Sequence, residues 1–183
     1  MKIIVLLVFV LLSSLTLAAQ QPACPDATGT YYMSHDGWKR MDQITMSGSG
    51  AKHVGKMFVP GLTPQMVWTF PGPEAPVKIE DRRPTFCVRE LAPLADLPGH
   101  SVRDVAIVRF DKKKDHRELQ TTFGGSAFTY KVGFGKEKLV QTTGSRSEDG
   151  SFFTITATEN VAPGEYLFTF GYGGTSGYDF SVK

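Results

Sequence analysis

"DVAIVRFDKKKDHRELQ", Asp104 to Gln120, passes from an apolar run to the most charge-dense part of the chain. In its first half Val105 and Ile107 alternate with Ala106, Val108 and Phe110, so a strand here is apolar on both faces. Such a strand needs cover on both sides, which makes it a central one. Charge then rises abruptly: of the twelve residues from Arg109 to Gln120, five are basic and three acidic. Asp111–Asp115 reads as a turn and "HRELQ" as the start of the return strand, with His116, Glu118 and Gln120 alternating against Arg117 and Leu119. Charge this mixed does not grip a polyanion, whereas interspersed charges beside a sheet edge oppose edge-to-edge pairing. A solvated, ion-paired hairpin is the expectation.

Outward from this stretch the same grammar recurs. "TGTYYMSHDGWKRM" (residues 28–41) predicts two strands joined at Asp36-Gly37. "SGSGAKHVGKMFVPGLTPQ" (47–65) is rich in Gly, Ser and Pro and predicts a long loop, with a short helical turn near Lys52–Met57. "MVWTF" and "APVKIE" predict strands separated by Pro71-Gly72-Pro73. In "RPTFCVREL" Thr85, Cys87 and Arg89 face one way and Phe86 and Val88 the other. "EKLVQTT" and "SFFTITAT" flank a second Asp-Gly turn at Asp149-Gly150, and "GEYLFTF" and "YDFSV" close the set around a flexible "GYGGTSG" hairpin. About ten strands without helical periodicity predict an all-β, antiparallel β-sandwich. "APGEY", Ala162–Tyr166, matches the Gly-x-Tyr part of a tyrosine corner and points to an immunoglobulin-like form.

The N-terminus sets the compartment. Met1-Lys2, an apolar run from Ile3 to Leu12 and small residues ending at Ala18-Ala19 form the pattern of a cleavable secretory signal peptide. The run is much shorter than the roughly 20 residues that span a bilayer, and no transmembrane segment is expected. Residues 1–19 are thus read as the signal and 20–183 as a single β-sandwich domain, with the hairpin and loop of 26–65 packed on it. Its destination is exported: periplasm, cell surface or medium. Cleavage removes Lys2 and lowers the formal charge from +2 to +1, so nucleic acid is not an expected partner. The two cysteines, Cys24 and Cys87, both fall in the exported part, where an oxidising setting favours a bridge.

"RPTFCVRE", "DVAIVRFDKKKDHRELQ" and "PGEYLFTF…YDFSV", together with "YYMSHDGW", resemble secreted bacterial proteins of unassigned function that carry an immunoglobulin-like β-sandwich module. The resemblance implies a bacterial envelope or secreted setting and transfers no functional residue.

Motifs of chemistry are sparse. His35, His53, His100 and His116 never fall at the spacing that puts two imidazoles on one face, so neither a metal site nor a cofactor is expected. "SGSGA" and "GGSAF" lack the strand-to-helix turn of a nucleophile elbow, and no catalytic residue is assigned. Aromatic rings at turns and strand ends supply the binding candidates: Trp38, Trp68 and Tyr172, with Tyr31, Tyr32 and Tyr178 behind them. The expected function is a non-catalytic module that binds a protein, glycan or other component of the cell envelope. The alternative is a secreted hydrolase with a dispersed carboxylate and histidine site.

Overall fold

The computed structural model describes residues 22–52, 65–89, 105–124, 131–170 and 175–183. Among the described residues sixteen strands follow one another: β1 (Gly29–Ser34), β2 (Gly37–Arg40), β3 (Gln43–Thr45), β4 (Gly48–Lys52), β5 (Gln65–Pro71), β6 (Lys78–Ile79), β7 (Thr85–Arg89) and β8 (Val105–Arg109), then β9 (Asp111–Lys112), β10 (His116–Gly124), β11 (Lys131–Phe134), β12 (Leu139–Val140), β13 (Thr142–Arg146), β14 (Phe153–Ala157), β15 (Gly164–Phe170) and β16 (Ser176–Val182). Among the described residues the one helical element is a 3-10 turn at Lys136–Lys138, and no helix is long and apolar enough to cross a membrane.

The strands form three sheets, ordered β13-β14-β7-β1-β2, β12-β8-β15-β16-β3 and β11-β10-β5-β4. Pairing is antiparallel except between β6 and β16. The second sheet is the middle layer. On one face Ile107, Tyr166, Phe168, Phe180 and Val182 share a core with Phe86, Val88, Ile155 and Ala157 of the first sheet. Its opposite face sends Ala106, Val108 and Leu167 into another core with Trp68, Phe70, Leu119 and Phe134 of the third. The two-faced apolarity of "DVAIVRF" thus has its cause: β8 is covered on both sides. The architecture is all-β and antiparallel with sheets packed face to face, but it has three layers where a simple sandwich has two.

Several local expectations change. The stretch 104–120 is not a hairpin within one sheet: β8 belongs to the middle sheet, while β9 and β10 pair with each other in the third. Phe110, buried in the core under the third sheet, carries the chain from one layer to the next. "EKLVQTT" likewise splits, β12 pairing with β8 and β13 with β14 of the first sheet. The predicted loop at 47–65 begins as strand β4, paired with β5 from Gly48 to Lys52; the rest of it, with the proposed helical turn, lies outside the described residues. The first hairpin turns at His35-Asp36, one residue earlier than read, because Ser34 and Gly37 already pair. Gly37, at φ 107°, takes a backbone conformation that a β-carbon disfavours. Residues 29–52 contribute strands to all three sheets. The segment read as a signal peptide lies outside the described residues.

The tyrosine corner is present, and present twice. The Tyr166 hydroxyl donates to the Ala162 carbonyl at 2.6 Å, at the entry to β15. At the entry to β1 the Tyr31 hydroxyl donates to the Ala27 carbonyl at 2.8 Å. Both segments read Ala-x-Gly-x-Tyr, "ATGTY" and "APGEY". Each tyrosine also faces an arginine on the neighbouring strand, Arg40 across from Tyr31 and Arg109 across from Tyr166.

Candidate functional site

The outer face of the first sheet is where Trp38 lies, and it is occupied. The segment leading into β1 crosses this face and is held there by three contacts. Cys24 is disulfide-bonded to Cys87 of β7 with Cα atoms 6.1 Å apart, the Trp38 indole N–H donates to the Pro22 carbonyl at 2.8 Å, and Tyr31 holds Ala27. Cys24, Cys87 and Tyr31 form a small buried cluster, with Trp38 and Phe152 packed against it. A bridge closing 63 residues stabilises by about 4 kcal/mol on the chain-entropy account. Trp38 thus helps hold this strap on the sheet, with its ring half-buried.

Trp68 is 7% exposed and fills the core between the middle and third sheets, so it offers no platform to a ligand. Its position directly across from Leu119 on β10 explains this burial. Tyr172 lies outside the described residues. Tyr178 is half-buried beside Phe168 and Phe170. Tyr32, also half-buried, packs on the core between the first two sheets and reaches a pocket.

That pocket, of about 390 Å³, opens between the β1–β2 hairpin and the segment 78–81. Tyr32, Met33 and the buried Ile79 give it apolar walls; Ser34, His35, Lys39, Lys78, Glu80 and Asp81 give it a rim of both charges. The hairpin side is braced at its turn, where the Ser34 hydroxyl donates to the Gly37 carbonyl at 2.9 Å and Asp36 pairs with both His35 and Lys39. The opposite side is fixed by β6 lying parallel to the end of β16 and by Asp81, which accepts the Arg83 amide N–H at 2.8 Å. Lys78 is committed to Glu74 and to the Ser181 hydroxyl, both at 3.1 Å. Glu80 is exposed and has no ion-pair partner among the described residues.

Behind this rim runs a buried ionic chain. Arg117, 2% exposed, donates to Asp179 at 2.6 Å and to the carbonyls of Gly72 and Pro71 at 3.1 and 2.9 Å, while its guanidinium lies 5.1 Å from the Phe110 ring. Glu165, 3.9 Å from the same guanidinium, accepts the Ala75 amide and the Ser181 hydroxyl, each at 2.7 Å. These bonds satisfy the buried charges and clamp the Pro71–Lys78 segment onto the middle sheet, as a buried ion network requires. At its solvent end Glu74 bridges Lys112 and Lys78, and those two ammonium groups hold its carboxyl down at about 2.

On the outward face of β10, His116 sits between Asp115 at 2.7 Å and Glu118 at 3.5 Å. Hydrogen bonding to Asp115 raises the imidazole above its ordinary value, with Glu118 assisting. Glu118 is lowered chiefly by Lys52, 2.8 Å away on β4, with Lys113 farther off at 3.6 Å. His35 stands on the first sheet and His116 on the third, so the described histidines do not converge. Among the described residues no group of three metal-ligating side chains comes together; His53 and His100 lie outside them.

A second cleft, of about 630 Å³, lies at the end of β8 and is lined by Arg109, Asp111, Lys112, Glu137, Lys138, Gly164 and their neighbours. Neither pocket was visible in the sequence. The walls of the first come from residues about forty positions apart, and no local spacing announces them. The second tyrosine corner was visible, since "ATGTY" repeats the Ala-x-Gly-x-Tyr spacing of "APGEY". Comparison with known proteins yields no family model, no curated protein and no solved structure that matches the chain.

Proposed function

We propose that the chain is an exported, non-catalytic module of immunoglobulin-like character, delivered by the signal peptide at residues 1–19 and acting in a bacterial envelope or secreted setting. Its ligand is a glycan of that envelope. The observation that carries this reading is the pocket at Tyr32 and Ile79. A saccharide has an apolar C–H face and a hydroxylated edge, and here an aromatic and aliphatic wall meets a rim of donors and acceptors of both charges. The volume, about 390 Å³, lies in the range of small-ligand sites. Glu80, exposed and without an ion-pair partner among the described residues, is positioned to accept hydroxyl hydrogen bonds.

Calorimetric titration of residues 20–183 with envelope glycan fragments tests the reading. Saturable binding that Glu80→Gln and Lys39→Ala weaken at unchanged melting temperature supports it; no binding to any fragment overturns it. The hydrolase alternative draws on one observation, that His35, Glu80 and Asp81 line the same pocket. Turnover of chromogenic glycosides that Glu80→Gln abolishes would decide for that alternative.

A further inference from the structure

We propose that the cleft at the end of β8 is a second ligand site, separate from the pocket at Tyr32, and that it takes a hydroxylated monocarboxylate, a uronic-acid saccharide, through the guanidinium of Arg109. Three observations converge on this residue. First, Arg109 is held in place from one side only. Its Nη2 donates to the Pro163 carbonyl at 3.0 Å, and the group lies flat against Gly164, where a β-carbon would come within 3.1 Å of Nε. The backbone thus fixes the plane of the fork while consuming one of its five N–H donors.

Second, the ion pairs around it are already made. Lys112 is bound to Glu74, Lys138 to Asp111, and Glu165 to Ala75, Ser181 and Arg117. Of the cations lining the cleft, Arg109 alone has no carboxylate partner among the described residues. Third, it faces space on two sides: it lines both the cleft of about 630 Å³ and an adjoining one of about 210 Å³ that reaches Gln141, Asn160 and Tyr166. Arg40 repeats the stacking on Gly29 at the other tyrosine corner, with its Nε 3.3 Å from where a β-carbon would be, but lines neither cleft.

A planar fork with free parallel donors matches a carboxylate, and such charge-assisted pairs are the strong ones. Glu137 selects the rest of the ligand. It lines both clefts without a partner among the described residues, so it repels a second negative charge and accepts from hydroxyl groups. One carboxylate on a hydroxyl-rich frame fits this pair, whereas a phosphate monoester, doubly charged near neutral pH, does not. The buried Tyr166 and Phe110 close the back of the site.

The test is calorimetric titration of the mature chain with a uronic-acid disaccharide, its neutral hexose counterpart and a phosphorylated disaccharide. The expected result is binding of the uronate alone. Arg109→Gln should weaken it at least tenfold at unchanged melting temperature, with Arg109→Lys falling between because it keeps the charge and loses the fork. Glu137→Gln should admit the phosphorylated sugar. Equal binding of the neutral and acidic sugars, wild-type affinity in Arg109→Gln, or no uronate binding at all overturns the proposal. Glu80→Gln, which alters only the pocket at Tyr32, should leave this binding untouched, so the two sites fail or stand separately.

Discussion

The two faces of β10 carry the same kinds of side chain to opposite ends. Outward, His116, Glu118 and Gln120 form a row in which each residue is bonded to a neighbour: His116 to Asp115, Glu118 to Lys52, Gln120 to Asp111 at 3.1 Å. Inward, Arg117, Leu119 and Thr121 are all buried. The outer charges trade partners with water at little energy, and such pairs contribute at most about 1 kcal/mol each. Arg117 has no water to return to, so removing its partners or removing it strands a charge in the core. One strand thus shows that a charged residue's weight depends on the face it occupies and hardly at all on its type.

The largest break in this comparison is Arg117→Met. Asp179 and Glu165 would be left buried without their cation, and a loss of about 3–5 kcal/mol is expected in chemical denaturation. Adding Asp179→Leu should recover part of that loss; if the double variant is no more stable than the single one, the ion pair is not what the arginine supports. Glu118→Gln comes next, at about 0.5–1 kcal/mol, with most of it shared in a double-mutant cycle with Lys52→Ala. A loss as large as that of Arg117→Met would erase the distinction between the faces.

Neutralising Lys112, Lys113 and Lys114 together is expected to shift stability by no more than about 0.5 kcal/mol while lowering solubility, measured by thermal melting and by precipitation at rising concentration. It should also let the Glu74 carboxyl rise from about 2, since Lys112 is its chief restraint. Smallest is the pH response of His116. Its raised value means that the stabilisation it gives is complete below the ordinary 6.5 and fades as pH climbs through the folded-state value. Asp115 and Glu118 are lowered, so their share is complete above 3.8 and 4.5 and fades only in acid. The row is therefore fully charged between those limits. An imidazole proton titration by NMR should place His116 above 6.5 and bring it down in Asp115→Asn; a midpoint at or below 6.5 would deny the bridging arrangement.

Much of the architecture was legible. Alternation in "TFCVR" and "VAIVR" assigned the faces of β7 and β8 correctly, because the pleat forces neighbours apart whatever surrounds them. "APGEY" located a tyrosine corner, because that tie closes within five residues. Less was legible about ligands. Trp68 looked like a candidate platform and is core, and Trp38 looked like an exposed ring and is bonded to a segment sixteen residues before it. Nothing local marks Tyr32, Ile79 and Glu80 as neighbours, or shows that Arg109 has no carboxylate partner among the described residues.

The longer apolar strands and the faces their residues take were readable from the chain alone, since these follow from torsional preference and a period of two, whereas β4 was read as loop and the first turn one residue late. The sequence also contained both cysteines, though their union required the strap to cross β7. Which sheet each strand joins is settled instead by packing between layers. β8 and β9 are separated by Phe110 alone, yet they enter different layers, because burying Phe110 between sheets wins over continuing the hairpin. That choice turned Arg117 from a surface charge into the clamp of the core and left Arg109 at a layer's end, facing open space.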